Sequence, residues 1–259
     1  MTLTKITTKS TLPVIEINNI IQTFDKSKQA LKNVSFTIES PTILSIVGAN
    51  GAGKSTLIKI MLGLIPPTDG TVRVLGYNPY LKQHQYLKKI GFISGQKRML
   101  SNDLSARRSI TSNALFYGLS LTEIQEQLEN LSKLFKVNHK LDQLVRTLSL
   151  GEVIKLEIIN SIIHKPKIVF LDEPSIGLDF DSHETIINIL NELHAKEQVT
   201  IVLTSHYMRD IKALSKQILV LENGKQLYSG EFSGLSKNIQ TGNLNNYLDS
   251  LNREIIKYS

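Results

Sequence analysis

The chain has 259 residues, 41% of them hydrophobic and 20% charged, enough to bury a full core as one large domain or two small ones. It has no cysteine, which excludes a disulfide framework and a thiolate metal site. Its net charge of +7 suits an anionic partner (nucleic acid, an anionic membrane surface or a nucleotide) and does not choose among them, because the lysines are scattered.

In chain order, the start MTLTKITTKSTLP is polar and Thr-rich, and residues 1–13 are expected to be a flexible N-terminus without the apolar centre of a secretory signal. Residues 14–47 read as strands: VIEINNIIQTF alternates, LKNVSFTIE follows, and PTILSIVG is a short apolar run ending in glycine. From Gly53 the pattern becomes a helix, KSTLIKIMLGL, stopped by Pro66-Pro67 and a turn at Asp69-Gly70. TVRVLGY and KKIGFIS are further strands. Residues 97–165 change character, with polar, helix-patterned segments such as LTEIQEQLENLSKLFKV, and are expected to be a helical insertion.

The strand pattern resumes with KIVFLDEP, a continuous apolar run ending in acids. The helix HETIINILNELHAK, the strand VTIVLTSH, the helix MRDIKALSKQ and the hairpin-like ILVLENGKQLYSG follow. Continuous apolar strands alternating with helices predict a buried parallel sheet. Residues 231–259 are expected to form a helical tail. No stretch approaches the roughly 18–20 consecutive apolar residues of a membrane span.

One segment carries chemistry on its face. Gly48-Ala49-Asn50-Gly51-Ala52-Gly53-Lys54-Ser55-Thr56 satisfies GxxxxGKS/T, with an apolar strand before it and a helix after it. Glycines let the backbone curl so that its amides face phosphate oxygens, and the helix adds the positive end of its dipole. Lys54 would reach the β- and γ-phosphates and Ser55 would place its hydroxyl on Mg²⁺. The strand ending in Asp172 and Glu173 is expected to emerge beside this loop, one acid serving Mg²⁺ and the next the attacking water.

Before, between and after these two elements stand Phe24, Gln96 in IGFISGQK, Leu148-Ser149-Leu150-Gly151-Glu152, Ser175-Ile176-Gly177-Leu178-Asp179, and His206. In this order and spacing, over roughly residues 14–230, the chain resembles the ATP-binding cassette (ABC) family. The fold implied is α/β: a P-loop NTPase parallel-sheet core with an antiparallel β subdomain and an inserted α-helical subdomain. The resemblance implies ATP and Mg²⁺ as ligands. Phe24 would stack on adenine, and Gln96 would contact Mg²⁺ or the attacking water. Glu173 would polarise that water, His206 would bind the γ-phosphate and orient Glu173, and Asp172 would support Mg²⁺. Ser149, Gly151 and Glu152 of the signature and Asp179 of the D-loop would complete the nucleotide set from a second cassette. One phosphate loop and one signature then imply two chains head to tail, a homodimer by default and a heterodimer with a sister cassette as the other arrangement.

The signature reads LSLGE where the family usually has LSGGQ, and Ser94-Gly95 precede Gln96 where proline is commoner. LSLGE, IGFISGQ and EPSIGLD together resemble the drug- and sodium-export branch. Two functions remain open at this point. One is the ATPase subunit of a transporter, held at the cytoplasmic face of the cell membrane by a separate permease and not expected to bind nucleic acid. The other is a soluble cassette ATPase acting on nucleic acid, ribosomes or cluster assembly.

Overall fold

The computed structural model describes residues 12–25, 28–95, 97–174, 178, 180–205 and 208–238. Gln96, Ser175, Ile176, Gly177, Asp179, His206 and most of the expected tail lie outside the described residues.

The first strands form a small antiparallel sheet. β1 (Ile15–Phe24) lies between β2 (Lys28–Ile38) and the later strand β4 (Asp69–Val74), in the order β2-β1-β4. β1 buries Ile15, Ile17 and Ile20 and slips register between Ile17 and Ile20, where Asn19 takes a positive φ that asparagine tolerates well.

β3 (Ile43–Val47) is buried at all five positions and runs into α1 (Lys54–Met61). This helix ends earlier than the sequence suggests, because Gly63 at φ 71 turns the chain before the prolines are reached. β4 (Asp69–Val74), the short α2 (His84–Leu87) and β5 (Ile90–Ser94) follow.

Three helices then separate β5 from β6 (Ile168–Asp172): α3 (Ala106–Leu115), α4 (Leu121–Leu134) and α5 (Leu150–Ile162). Each begins at a serine whose side chain accepts a backbone N–H of the first turn, Ser105, Ser120 and Ser149 respectively. After β6 come α6 (Phe180–Glu197), β7 (Thr200–Ser205), α7 (Met208–Leu214), β8 (Gln217–Glu222), β9 (Lys225–Glu231) and α8 (Phe232–Asn238).

The large sheet has the order β5-β6-β7-β3-β8-β9, parallel except for the final hairpin partner β9. Its strands β3, β6, β7 and β8 are buried on both faces, while the edge strand β9 alternates between exposed and half-buried positions. On β6, Ile168 and Phe170 join the core that includes α1 and the small sheet, while Val169 and Leu171 join the core built by α3 to α6. The alternation is real, but apolar packing on both sides makes the strand read as a continuous apolar run.

Candidate nucleotide site

The phosphate loop crosses from Val47 to Lys54 at the carboxyl end of the sheet, and its glycines are set by close backbone approaches. A Cβ at Gly48 would stand 2.4 Å from the Leu221 carbonyl oxygen of β8. Gly53 caps α1 at φ 107, where a Cβ would stand 2.6 Å from the Ala30 carbonyl oxygen. Gly51, at φ 82, has open space around it, so only its conformation demands glycine. Ala52 turns away from the cleft into the core with Leu31. The Gly53→Ala protein is therefore expected to lose about 1–3 kcal/mol of stability from strain and crowding. Thermal unfolding should register a drop of roughly 2–4 °C per kcal/mol for a chain of this size.

Lys54 is 4% exposed, and its ammonium donates to the carbonyl oxygens of Gly48 (2.7 Å) and Ala49 (3.1 Å). The Glu173 carboxylate stands 3.8 Å away. Burial pulls the Lys54 pKa down, and the nearby Glu173 and Asp172 charges oppose that shift. Ser55 Oγ donates to Asp172 Oδ1 at 3.0 Å. A hydroxyl and a carboxylate joined in this way are the hard oxygen donors that suit Mg²⁺.

β6 brings Asp172 to the phosphate loop at Ser55, with β7 lying between β6 and β3 in the sheet. The register sets Thr204 of β7 opposite Asp172. Thr204 Oγ1 donates to Asp172 Oδ1 (2.7 Å) and accepts the Glu173 N–H (2.9 Å). Glu173 itself has φ 54, in the left-handed region. From the β5 side, the Gly95 N–H donates to the Asp172 carbonyl at 2.9 Å, and a Cβ on Gly95 would meet the Glu173 carbonyl oxygen at 2.5 Å. Glycine before Gln96 thus makes room for the acid pair. The sequence alone assigns this role to neither Thr204 nor Gly95. The available signal is a hydroxyl pair, Thr204-Ser205, ending a buried strand whose middle, Ile201-Val202-Leu203, is apolar.

A cleft of about 700 Å³ runs over these groups. Phe24, Asp25 and Gln29 from the β1–β2 connection line it, with Asn50, Gly51 and Gly53 to Thr56 of the loop and Asp172 and Glu173 of β6. Phe24 is 39% exposed, so an aromatic face is presented to a ligand in the cleft rather than to the core.

The signature segment lies elsewhere. Ser149 caps α5 in a reciprocal box: its Oγ accepts the Glu152 N–H (3.3 Å), and Glu152 Oε2 accepts the Ser149 N–H (2.8 Å). Lys140 pairs with Glu152 at 3.1 Å. Burial alone would raise the Glu152 carboxyl, but the Ser149 N–H and the Lys140 ammonium hold it below the ordinary glutamate range. A glutamine would satisfy the same cap, and the glutamate adds the ion pair with Lys140. Gly151 is buried on α5. None of Ser149, Gly151 and Glu152 lines the cleft.

The chain matches the family profile described as ABC transporter over residues 31–176, more than half of its length. It is 31% identical over 223 residues to the ABC transporter ATP-binding protein NatA of Bacillus subtilis (strain 168), a match covering 85% of this chain and 90% of that one. It is 30% identical to the zinc import ATP-binding protein ZnuC of Rickettsia bellii (strain RML369-C), covering 89% and 92% respectively. Among solved structures, a dimeric bacterial ABC transporter cassette superposes with a TM-score of 0.76 at 25% identity, covering 84% of this chain and 98% of that one.

Proposed function

The chain belongs to the ABC transporter family as an ATP-binding, ATP-hydrolysing subunit, and we propose that it drives export through a separate membrane permease as one of two cassettes closed head to tail. Support for the pairing comes from the division of the site. The cleft holds Lys54, Ser55, Asp172 and Glu173 and takes no lining residue from the signature. Ser149 and the start of α5, with amides and a favourable dipole end, suit the γ-phosphate of a nucleotide held by another copy. Within one cleft, Lys54 and the loop amides bind phosphate, Ser55 and Asp172 would hold Mg²⁺, and Glu173 accepts a proton from the attacking water. Bound there, Mg²⁺ would neutralise charge on the transferring phosphoryl group. Gln96, His206 and Asp179 take the family's roles in this reading.

What carries the permease reading is a second hollow of about 310 Å³, lined by Leu87, Phe92, Met99, Phe116 and Tyr117 together with His84 and Lys88. Phe116 is 82% exposed and Met99 57%, a cost that a docked partner would remove. The sequence has no acidic residue from Thr71 to Asn102, so the rim is basic where a partner segment with carboxylates would approach. The buried Glu157 of α5 accepts the N–H groups of Met99 (2.8 Å) and Leu100 (3.0 Å), tying the hollow's edge to the helix that Ser149 opens. Among the described residues no helix is long and apolar enough to cross a membrane, so membrane attachment in this reading comes through the permease. Export rests on the wording of LSLGE, IGFISGQ and EPSIGLD.

The test is recovery from gently solubilised membranes. Co-purification with an integral membrane protein, lost on Phe116→Glu, is expected; recovery solely with ribosomes or DNA would overturn the permease reading. Direction is read by cargo flux in vesicles rebuilt with both subunits, where ATP-driven movement from the cassette side to the far side marks export.

A further inference from the structure

Thr204 is fully buried and sits between the two acids and the phosphate-loop strand. Its hydroxyl has one hydrogen to give and lone pairs to accept. The Glu173 N–H can only donate, so it occupies a lone pair at 2.9 Å, and the single hydroxyl hydrogen goes to Asp172 Oδ1 at 2.7 Å. Asp172 Oδ1 is thereby fixed from two sides, by Thr204 and by Ser55 at 3.0 Å. The same hydroxyl anchors the backbone of Glu173 in a left-handed conformation that a non-glycine residue rarely keeps without such support.

We propose that Thr204 is a positioning residue for ATP hydrolysis, its hydroxyl setting the Asp172 carboxylate and the Glu173 backbone at once; this rests on the reading of those two acids given above. The arrangement is a joint between strands. β7 is parallel to β6, pairs Thr204 with Asp172, and continues within two residues to His206. A change in the carboxyl end of β7 is therefore felt by both acids through one oxygen atom. A methyl group in place of that oxygen keeps the volume and the β-branched shape that suit a buried strand. It removes the Thr204 acceptor from the Glu173 N–H and one donor from Asp172 Oδ1.

The experiment compares Thr204→Val, Thr204→Ser and Glu173→Gln in the full-length protein. It measures steady-state ATPase, affinity for a fluorescent ATP analogue, and thermal unfolding. For Thr204→Val, kcat is expected to fall about ten- to a hundredfold, the scale of one hydrogen bond to a charged group. Affinity for the analogue should stay within about twofold, because the groups on the phosphate loop are untouched. Thr204→Ser, which keeps the hydroxyl, should restore kcat to within about threefold of the parent, and Thr204→Ala, should the valine protein not fold, should repeat its loss. A valine variant with parental kcat, a serine variant as slow as the valine one, or an equal loss of affinity and kcat would each overturn the proposal. Parental turnover in Glu173→Gln would overturn the underlying reading of the acid pair and this one with it. A slow Glu173→Gln beside a fully active Thr204→Val would overturn the role of Thr204 alone.

Discussion

The Lys54→Met protein is expected to bind ATP at least about 100-fold more weakly than its parent, the scale of losing two charge-assisted hydrogen bonds. It is also expected to unfold within a few degrees of its parent. The contrast follows from where the ammonium sits. It is 4% exposed and held by the carbonyl oxygens of Gly48 and Ala49, so the fold keeps a buried cation poised at the loop's centre without an intimate ion pair. The nearest carboxylate oxygen, on Glu173, is 3.8 Å away. Methionine preserves much of the length and fills the same space with a flexible apolar chain. What disappears is the charge offered to phosphate, and equilibrium binding of a fluorescent ATP analogue measures that loss separately from unfolding. Undiminished affinity would mean that phosphates do not reach Lys54.

The same substitution has a signature in alkaline solution. Burial lowers the Lys54 pKa from the ordinary 10.5, so between the folded value and 10.5 the unfolded chain binds more protons than the folded one. Stability then rises with pH through that window, because the folded state sheds a proton that it holds at a cost. The methionine variant lacks this increment. The difference in unfolding free energy between parent and variant is expected to move in the parent's favour as pH climbs toward 10.5.

The phosphate loop was legible because its conformation demands particular residues. At Gly53 both a left-handed φ and a carbonyl 2.6 Å from the would-be Cβ exclude other side chains, and such exclusions leave a pattern in the sequence. The two-faced burial of β6 and β7 likewise leaves a record, as continuous apolar runs. Strand order leaves none. That β7 separates β6 from β3 is a property of long-range pairing, and with it went the contact between Thr204 and Asp172. The signature segment shows the opposite case. LSLGE departs from its family's usual letters, yet Ser149 and Glu152 satisfy the S-x-x-E capping pattern at the start of α5, a local rule readable from four residues. Gly95 falls between: a glycine in sequence has many causes, and only the carbonyl of Glu173, 2.5 Å from its would-be Cβ, says which applies here.

Glu173→Gln is expected to slow ATP hydrolysis at least about 100-fold, the contribution of a positioned general base, while leaving ATP bound. The glutamine keeps the shape of a side chain that is 17% exposed and lines the cleft, but it cannot take a proton from water at neutral pH. Lys54 retains its carbonyl partners Gly48 and Ala49, so the loop that receives phosphate is unchanged. Removing a negative charge from the cleft also lessens repulsion toward the nucleotide's phosphates, and affinity is expected to rise rather than fall. If ATP is what joins the loop of one copy to Ser149 of another, a nucleotide that is bound and not hydrolysed holds the pair closed. The variant should therefore elute as a dimer with ATP and as a monomer without it, and Ser149→Arg in the same background should return it to monomer by crowding the second half of the site. A Glu173→Gln protein that binds ATP yet stays monomeric at every concentration would mean that the cassettes do not close on the nucleotide.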